Sequence, residues 1–327
     1  MSIQIKDVAQ HARVSSATVS RVLANKPHVS EETRKRVLAA VEELGYQPSQ
    51  VARSLRVQRS KIIGLIISDI QNPFFTSLVR AVEDIAHERQ YAVLLCNSDE
   101  DIEKETLYVN LMYAERVAGV VITPTRELDN PSQRLIDVNI PVVAVDRRML
   151  DLNVDTVIID NTGAAYQLTA RLIKDGHQRI GAVVGPETTT TGRERREGYL
   201  SALKAHQLPV LPRLVRSGLP KKEFGYHSTC ELLDQPDHPT ALFIGNNLLT
   251  IGALRAIRER GLSIPDDIAL AVFDEMDWTF LIEPTLAVVA QPTYELGRTA
   301  TELLLKRIEG DAGPTREIVL SPTILNP

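Results

Sequence analysis

The chain has 327 residues, 43% hydrophobic and 24% charged, with a formal net charge of −5. That composition excludes a disordered, collagenous or low-complexity chain, and at ~150 residues per domain the length predicts about two domains. Two cysteines, Cys96 and Cys230, exclude a disulfide framework and a thiol-rich metal site. No apolar run approaches the ~18 residues of a membrane span, and the charged opening MSIQIKDVAQHARV lacks the apolar stretch of a signal peptide, so a cytoplasmic chain is expected. The average charge hides a split. Residues 1–60 hold 10 Lys and Arg against 5 Asp and Glu, or +5, and the remainder carries −10. A basic head on an acidic body points to nucleic-acid binding by the head.

In chain order, the first predicted helix runs from Lys6 to Arg13, with Val8, Ala9 and Ala12 at helical spacing. Val14-Ser15-Ser16 breaks it. A second runs from Ala17 to Ala24, with Val19, Val22 and Leu23 on one face and Ser15 or Ser16 as N-cap. The short break between them is the geometry of a helix-turn-helix. A third starts at an N-cap Ser30, with Glu31 and Glu32 in its first turn. It continues through Val37, Leu38, Val41 and Leu44 and stops at Gly45. The start of the second helix suits a DNA major groove. Arg21 can grip a guanine edge, Ala17 or the Thr18 methyl can touch a thymine methyl, and Ser16 and Ser20 can hydrogen-bond. Thr18 and Ser20 equally suit capping and solvation.

From Ile5 to Arg56 the sequence resembles the DNA-binding head of the LacI (lactose repressor) family. The resemblance rests on DVA at Asp7–Ala9, VSxxTVSRVL at Val14–Leu23, VSxxTR at Val29–Arg34 and LGYxP at Leu44–Pro48. It implies base reading by Ser16, Ala17 and Arg21, and contacts at or near the sugar-phosphate backbone by Ser20, His28 and Ser30. Ala24 departs from the Asn often found there. The resemblance also makes Gln50–Arg56 a hinge helix formed on operator DNA, with Leu55 wedged into a base step and Ala52 packed nearby. Seven residues with few apolar groups cannot hold a helix alone.

From Lys61 short apolar runs alternate with amphipathic helices. The predicted strands are 62–67, 92–96, 119–123, 141–145, 156–159, 180–184, 241–244, 268–273 and 286–290. Such runs between helices predict parallel strands in doubly wound α/β lobes. Ile62–Ile67 recurs as Arg179–Val184, which predicts two lobes with a ligand cleft at the carboxyl ends of their strands. Polar and aromatic residues at those ends are the ligand candidates: Asn72 and Phe75, Asp146 and Arg147, Arg195, Asn246, Asp274 and Gln291. Carboxylates and Arg bond vicinal hydroxyls, and an aromatic face covers a sugar ring. Taken singly, Asn72-Pro73 also suits a helix start and Asp146-Arg147 a surface pair.

The body also resembles the LacI family and the periplasmic sugar-binding proteins, through IGLIISDIQNPFF, PVVAVDRR, GRERREGYLSAL, FIGNNLLTIGAL and PTLAVVAQP. The resemblance implies an effector site of these same eight residues, closest to the pattern used for ribose and hexoses. Pro220 stands where the family often has an aromatic, Asn246-Asn247 replaces Asn-Asp, and Trp278 is the candidate for the missing ring. The expected organisation is a helix-turn-helix domain at 1–48, a hinge at 49–60 and a two-lobed effector-binding and dimerisation domain at 61–327. The expected function is a transcriptional regulator, a repressor, that binds palindromic operator DNA as a homodimer under control of a monosaccharide. Rival readings are a regulator with a phosphocarrier-protein co-effector, a purine- or sugar-phosphate-responsive regulator, and a sugar transport receptor. GxSxG, HExxH, CxxC and a phosphate loop ending in Gly-Lys-Ser/Thr are all missing, so no catalytic residue, metal or cofactor is expected.

Overall fold

The computed structural model describes residues 3–23, 29–46, 60–275 and 286–325. Ala24, His28, the hinge residues Ala52 and Leu55, and Trp278 lie outside the described residues. The chain separates into two compact units, Met1–Ser60 and Lys61–Pro327.

In the first unit α1 (Ile5–His11), α2 (Ser16–Leu23) and α3 (Glu31–Glu43) enclose Val8, Ala9, Ala12, Val19, Val22, Val37 and Ala40. Two details differ from expectation, the end of the first helix and the place of Leu38, and a third, the cap of the second helix, falls on one of the two serines expected. The first helix ends at His11, because Arg13 takes a left-handed φ of 53° in the turn. Ser15 rather than Ser16 caps α2, its Oγ accepting the Thr18 amide at 3.1 Å. Leu38 is 49% exposed, and Ala40 takes the core position expected of it.

In the second unit the chain first builds β1 (Ile62–Ile67), α4 (Phe74–Glu88), β2 (Ala92–Asn97), α5 (Ile102–Ala114), β3 (Gly119–Ile122), α6 (Gln133–Ile136), β4 (Val142–Val145) and β5 (Asp155–Ile159). It then forms α7 (Asn161–Lys174), β6 (Ile180–Val184), α8 (Thr190–Ala205), β7 (Val215–Ser217), α9 (Lys222–Leu233), β8 (Ala241–Ile244), α10 (Asn247–Glu259), β9 (Ala269–Phe273) and β10 (Ala287–Ala290). Last come α11 (Thr293–Ile308), β11 (Glu317–Leu320) and β12 (Thr323–Leu325).

Two six-stranded sheets result, ordered β11-β5-β4-β3-β1-β2 and β12-β10-β9-β8-β6-β7. Every pairing is parallel except β10 with β12. The orders correspond strand for strand, so the internal repeat marks β1 and β6 as equivalent. The chain passes between lobes three times: at Asp160, at Gln291-Pro292, and at Ser321-Pro322. The expected strands are all present within one residue at each end, whereas β7, β11 and β12 were not anticipated. They are edge strands of three or four half-exposed residues, too short for an apolar run to announce them. Helices cover both faces of each sheet, as doubly wound sheets require. Among the described residues no helix is long and apolar enough to cross a membrane.

Gly198 lies where α8 packs on α7, and a Cβ there would come 2.3 Å from the Thr162 carbonyl oxygen. Gly198→Ala is expected to push α8 off its neighbour and destabilise the body by about 1–3 kcal/mol, read by urea unfolding. An unchanged midpoint would contradict this packing.

Candidate functional site

The first unit presents one face of α2. Ala17 and Arg21, four residues apart, are exposed on it, and Ser16, Thr18 and Ser20 are half-buried. Among the described residues no carboxylate pairs with Arg21 in the structure. Thr18 is partly engaged in capping, its hydroxyl lying 3.0 Å from Ser15 Oγ. Ser30 caps α3, its Oγ accepting the Thr33 amide at 3.3 Å and donating to Thr33 Oγ1 at 2.8 Å. A short helix with small residues and an exposed guanidinium on its outer face has the form of a groove reader.

In the second unit the carboxyl ends of the central strands of both sheets face one cavity, the place where open α/β sheets bind ligands. Asn72, Phe75, Asp146, Arg147, Arg195, Asn246, Asp274 and Gln291 all line it. These are the described members of the expected effector set. Asp146 and Asp274 occupy equivalent positions after β4 and β9, each in the left-handed region with φ 69° and 72°. Asp tolerates that conformation better than most side chains. Asn72 and Asn246 also fix helix starts: Asn72 Oδ1 accepts the Phe74 amide at 3.0 Å, and Asn246 Oδ1 accepts those of Leu248 and Leu249 at 2.8 and 3.1 Å. Phe74 and Phe75 meet edge to face with centroids 5.0 Å apart.

Both guanidiniums are held from behind. Arg147 donates twice to Glu100, at 2.7 Å each, and once to the Pro124 carbonyl at 3.1 Å. Arg195 donates to Asn161 Oδ1 at 2.9 Å and to the Gly245 carbonyl at 2.7 Å, and lies 4.0 Å over the Phe273 ring. Gln291, on the second crossover, donates from Nε2 to Asp274 Oδ1 at 2.5 Å. Gln291 Oε1 and Arg147 Nε are buried without a hydrogen-bond partner among the described residues, and Arg147 Nε lies 3.7 Å from Asp146 Oδ2. Phe74, Thr189, Thr191 and Pro220 also line the cavity and were not in the expected set. Phe74 was legible as the neighbour of Phe75, and the threonines as a polar run before Gly192. Among the described residues no group of three or more His, Cys, Asp or Glu is placed to hold a metal.

The chain matches two family models. Residues 4–49 match the bacterial regulatory proteins of the lacI family, and residues 60–323 match the periplasmic binding proteins and sugar binding domain of the LacI family. It is 41% identical to the ribose operon repressor of Halalkalibacterium halodurans, across 93% of this chain and 90% of that one. It is 36% identical to the HTH-type transcriptional repressor PurR of Photorhabdus laumondii, across 98% and 95%. A crystal structure of the Lac repressor bound to ONPG in the repressed state superposes with a TM-score of 0.81 at 28% identity, covering 100% of this chain and 99% of that one.

Burial sets the charge states inside the cavity. It pushes the Asp146 carboxyl up to about 6; Arg147 and Arg195 oppose the rise, while Asp274 and Glu100 add to it. Burial would also raise Glu100, but the charge and hydrogen bonds of Arg147 hold it below the ordinary range. Burial lowers Arg195, with Asp274 and Asp146 offsetting part of the loss. Because the folded value of Asp146 is raised, its contribution favours the fold below the ordinary Asp range and is lost as pH rises through about 6. In the ligand-free protein the Asp146 carboxyl is expected to titrate near pH 6 by carbon-13 NMR. A midpoint below ~4, the unperturbed Asp range, would show a wetter cavity.

Proposed function

We propose, from the premise that this chain belongs to the LacI family of bacterial regulators, that its effector is a neutral monosaccharide, with the pentose D-ribose as the first candidate. The protein is a DNA-binding transcriptional repressor with an effector-binding body, and it works on operator DNA as a homodimer. One observation carries the choice of a neutral sugar. Arg147 and Arg195 are already matched by protein acceptors, and Glu100, Asp146 and Asp274 outnumber them. An anionic sugar would therefore enter a cavity with no spare positive charge. A neutral polyol can accept from Arg147 Nε and donate to Gln291 Oε1 and the two aspartates. The PurR relatives raise a purine as the rival. A purine asks for flat faces on both sides, and the described walls offer the Phe74-Phe75 pair and Pro220.

In this reading Ser16, Ala17 and Arg21 read bases, Ser20, His28 and Ser30 meet the backbone, and Ala52 and Leu55 act in the hinge. The head's family match and the outer face of α2 support it. The cleft binds without turnover, in keeping with relatives that are transcriptional repressors, and the protein acts where the DNA is, in the cytoplasm.

Calorimetry with D-ribose, D-glucose, D-ribose 5-phosphate, hypoxanthine and guanine tests the effector. Binding of ribose with silent purines and a silent phosphate is expected; a purine response with silent sugars would overturn the reading. On an operator selected from random palindromes, Arg21→Ala is expected to cost about 1–3 kcal/mol and to relax preference at one base pair of each half-site. Uniform weakening across all sequences would make Arg21 a phosphate contact instead.

A further inference from the structure

The three crossovers lie beside β5, β10, β11 and β12, at one edge of the two sheets. At the other edge stand β2 and β7. Lobes hinged at one side open widest at the other, so a bond there has the greatest leverage on closure. Among the described residues Lys221 makes bonds of this kind. Lys221, the N-cap of α9 in the second lobe, places Nζ 2.7 Å from Asp69 Oδ2 and 2.5 Å from Asp99 Oδ1, which follow β1 and β2 in the first lobe. Lys221 does not line the cavity, although Pro220 beside it does.

The bond is joined to the cavity wall on both of its acidic ends. Asp69 is 3% exposed, and its other oxygen accepts the Gln71 amide at 2.9 Å while its carbonyl accepts that of Asn72 at 3.1 Å. It therefore shapes the turn that delivers Asn72 and Phe75. Asp99 and Glu100 are consecutive residues in the left-handed region, with φ 58° and 60°. One turn thus sends Asp99 to Lys221 and Glu100 to Arg147.

We propose that Lys221 is a positioning residue for the effector: it straps the open edge of the cleft to Asp69 and Asp99 when the lobes close, and so sets how tightly the effector is held without touching it. The inference rests on the cleft being the effector site but not on the effector being a pentose. Losing the ammonium leaves the buried Asp69 carboxylate unpaired in the closed form only, so closure alone is penalised.

Calorimetry on the full-length protein with D-ribose at low and high salt tests it. K221Q and D69N are each expected to weaken ribose binding roughly tenfold, in the usual range for coupling between a site and a conformational equilibrium. The double variant should be no weaker than either, K221R should retain affinity, and circular dichroism should report an intact fold. Binding of a neutral sugar has no salt dependence of its own. The wild type should nevertheless weaken with salt as the half-exposed strap is screened, and K221Q should not. Wild-type affinity and an unchanged salt slope in K221Q would overturn the proposal. If the wild type takes no ribose, the pentose reading fails, and hydrogen exchange in the ligand-free protein then decides the strap. Faster exchange at the Gln71 and Asn72 amides in K221Q supports it, and unchanged exchange there refutes it.

Discussion

A cleft whose wall buries ions must satisfy them before any ligand arrives. Removing one partner of a buried ion pair costs roughly 3–5 kcal/mol. That constraint explains most of what surrounds the cavity. Arg147 is buried, so Glu100 must reach it, and Glu100 reaches it only from a left-handed turn. Arg195 is buried on α8, so Asn161 at the start of α7 and the carbonyl after β8 must both aim at it. Those demands fix how α7 and α8 approach each other, and the approach leaves no room for a side chain at Gly198. The atoms that line the cavity are few, and much of the lobe architecture serves to hold them.

The duplication of the lobe supplies the rest. A parallel sheet turns all its carboxyl ends one way, and two such sheets facing each other converge those ends on one space. Asp146 after β4 and Asp274 after β9 are the same structural position used twice, with the same unusual backbone. Their partners differ. Asp274 acts on Arg195 and is also tied to Gln291, on a crossover, whereas Asp146 lies beside both guanidiniums. A symmetric scaffold thus yields an asymmetric site, with a hinge-linked carboxylate on one side and a charge-poised one on the other.

How much of this was legible follows from what carries a local signal. The central strands are continuous apolar runs and could be placed to within a residue. The residues that follow them can then be named as cavity lining from the sequence, and the described ones all line it. Glu100, Asn161 and Lys221 were not legible. They sit in turns and at helix starts, where an acidic, amide or basic residue is ordinary, and only the fold brings them beside Arg147, Arg195 and Asp69. The edge strands failed for a related reason: β7, β11 and β12 are defined by pairing with a neighbour rather than by their own composition. In the head, Leu38 and Ala40 exchange roles because propensity cannot say which face of α3 the other two helices cover.

An effector alters DNA binding only through the difference in its affinity for two forms of the body. The cavity-lining ions are poor sources of that difference, since Glu100, Asn161 and the Gly245 carbonyl lie in the same lobes as the guanidiniums they hold and stay with them when the cleft opens. Contacts that run from lobe to lobe are the ones that change. Thr190 and Arg193 of the second lobe meet Glu127 of the first, and Lys221 meets Asp69 and Asp99. Glu127 follows β3, near the middle of its sheet, whereas the Lys221 bond lies at the edge farthest from the crossovers. Arg148 of the first lobe also meets Thr190 and Glu194 of the second, so the Lys221 bond is one of several contacts across the cleft, set apart by its place at the edge that a hinge at the crossovers would move farthest.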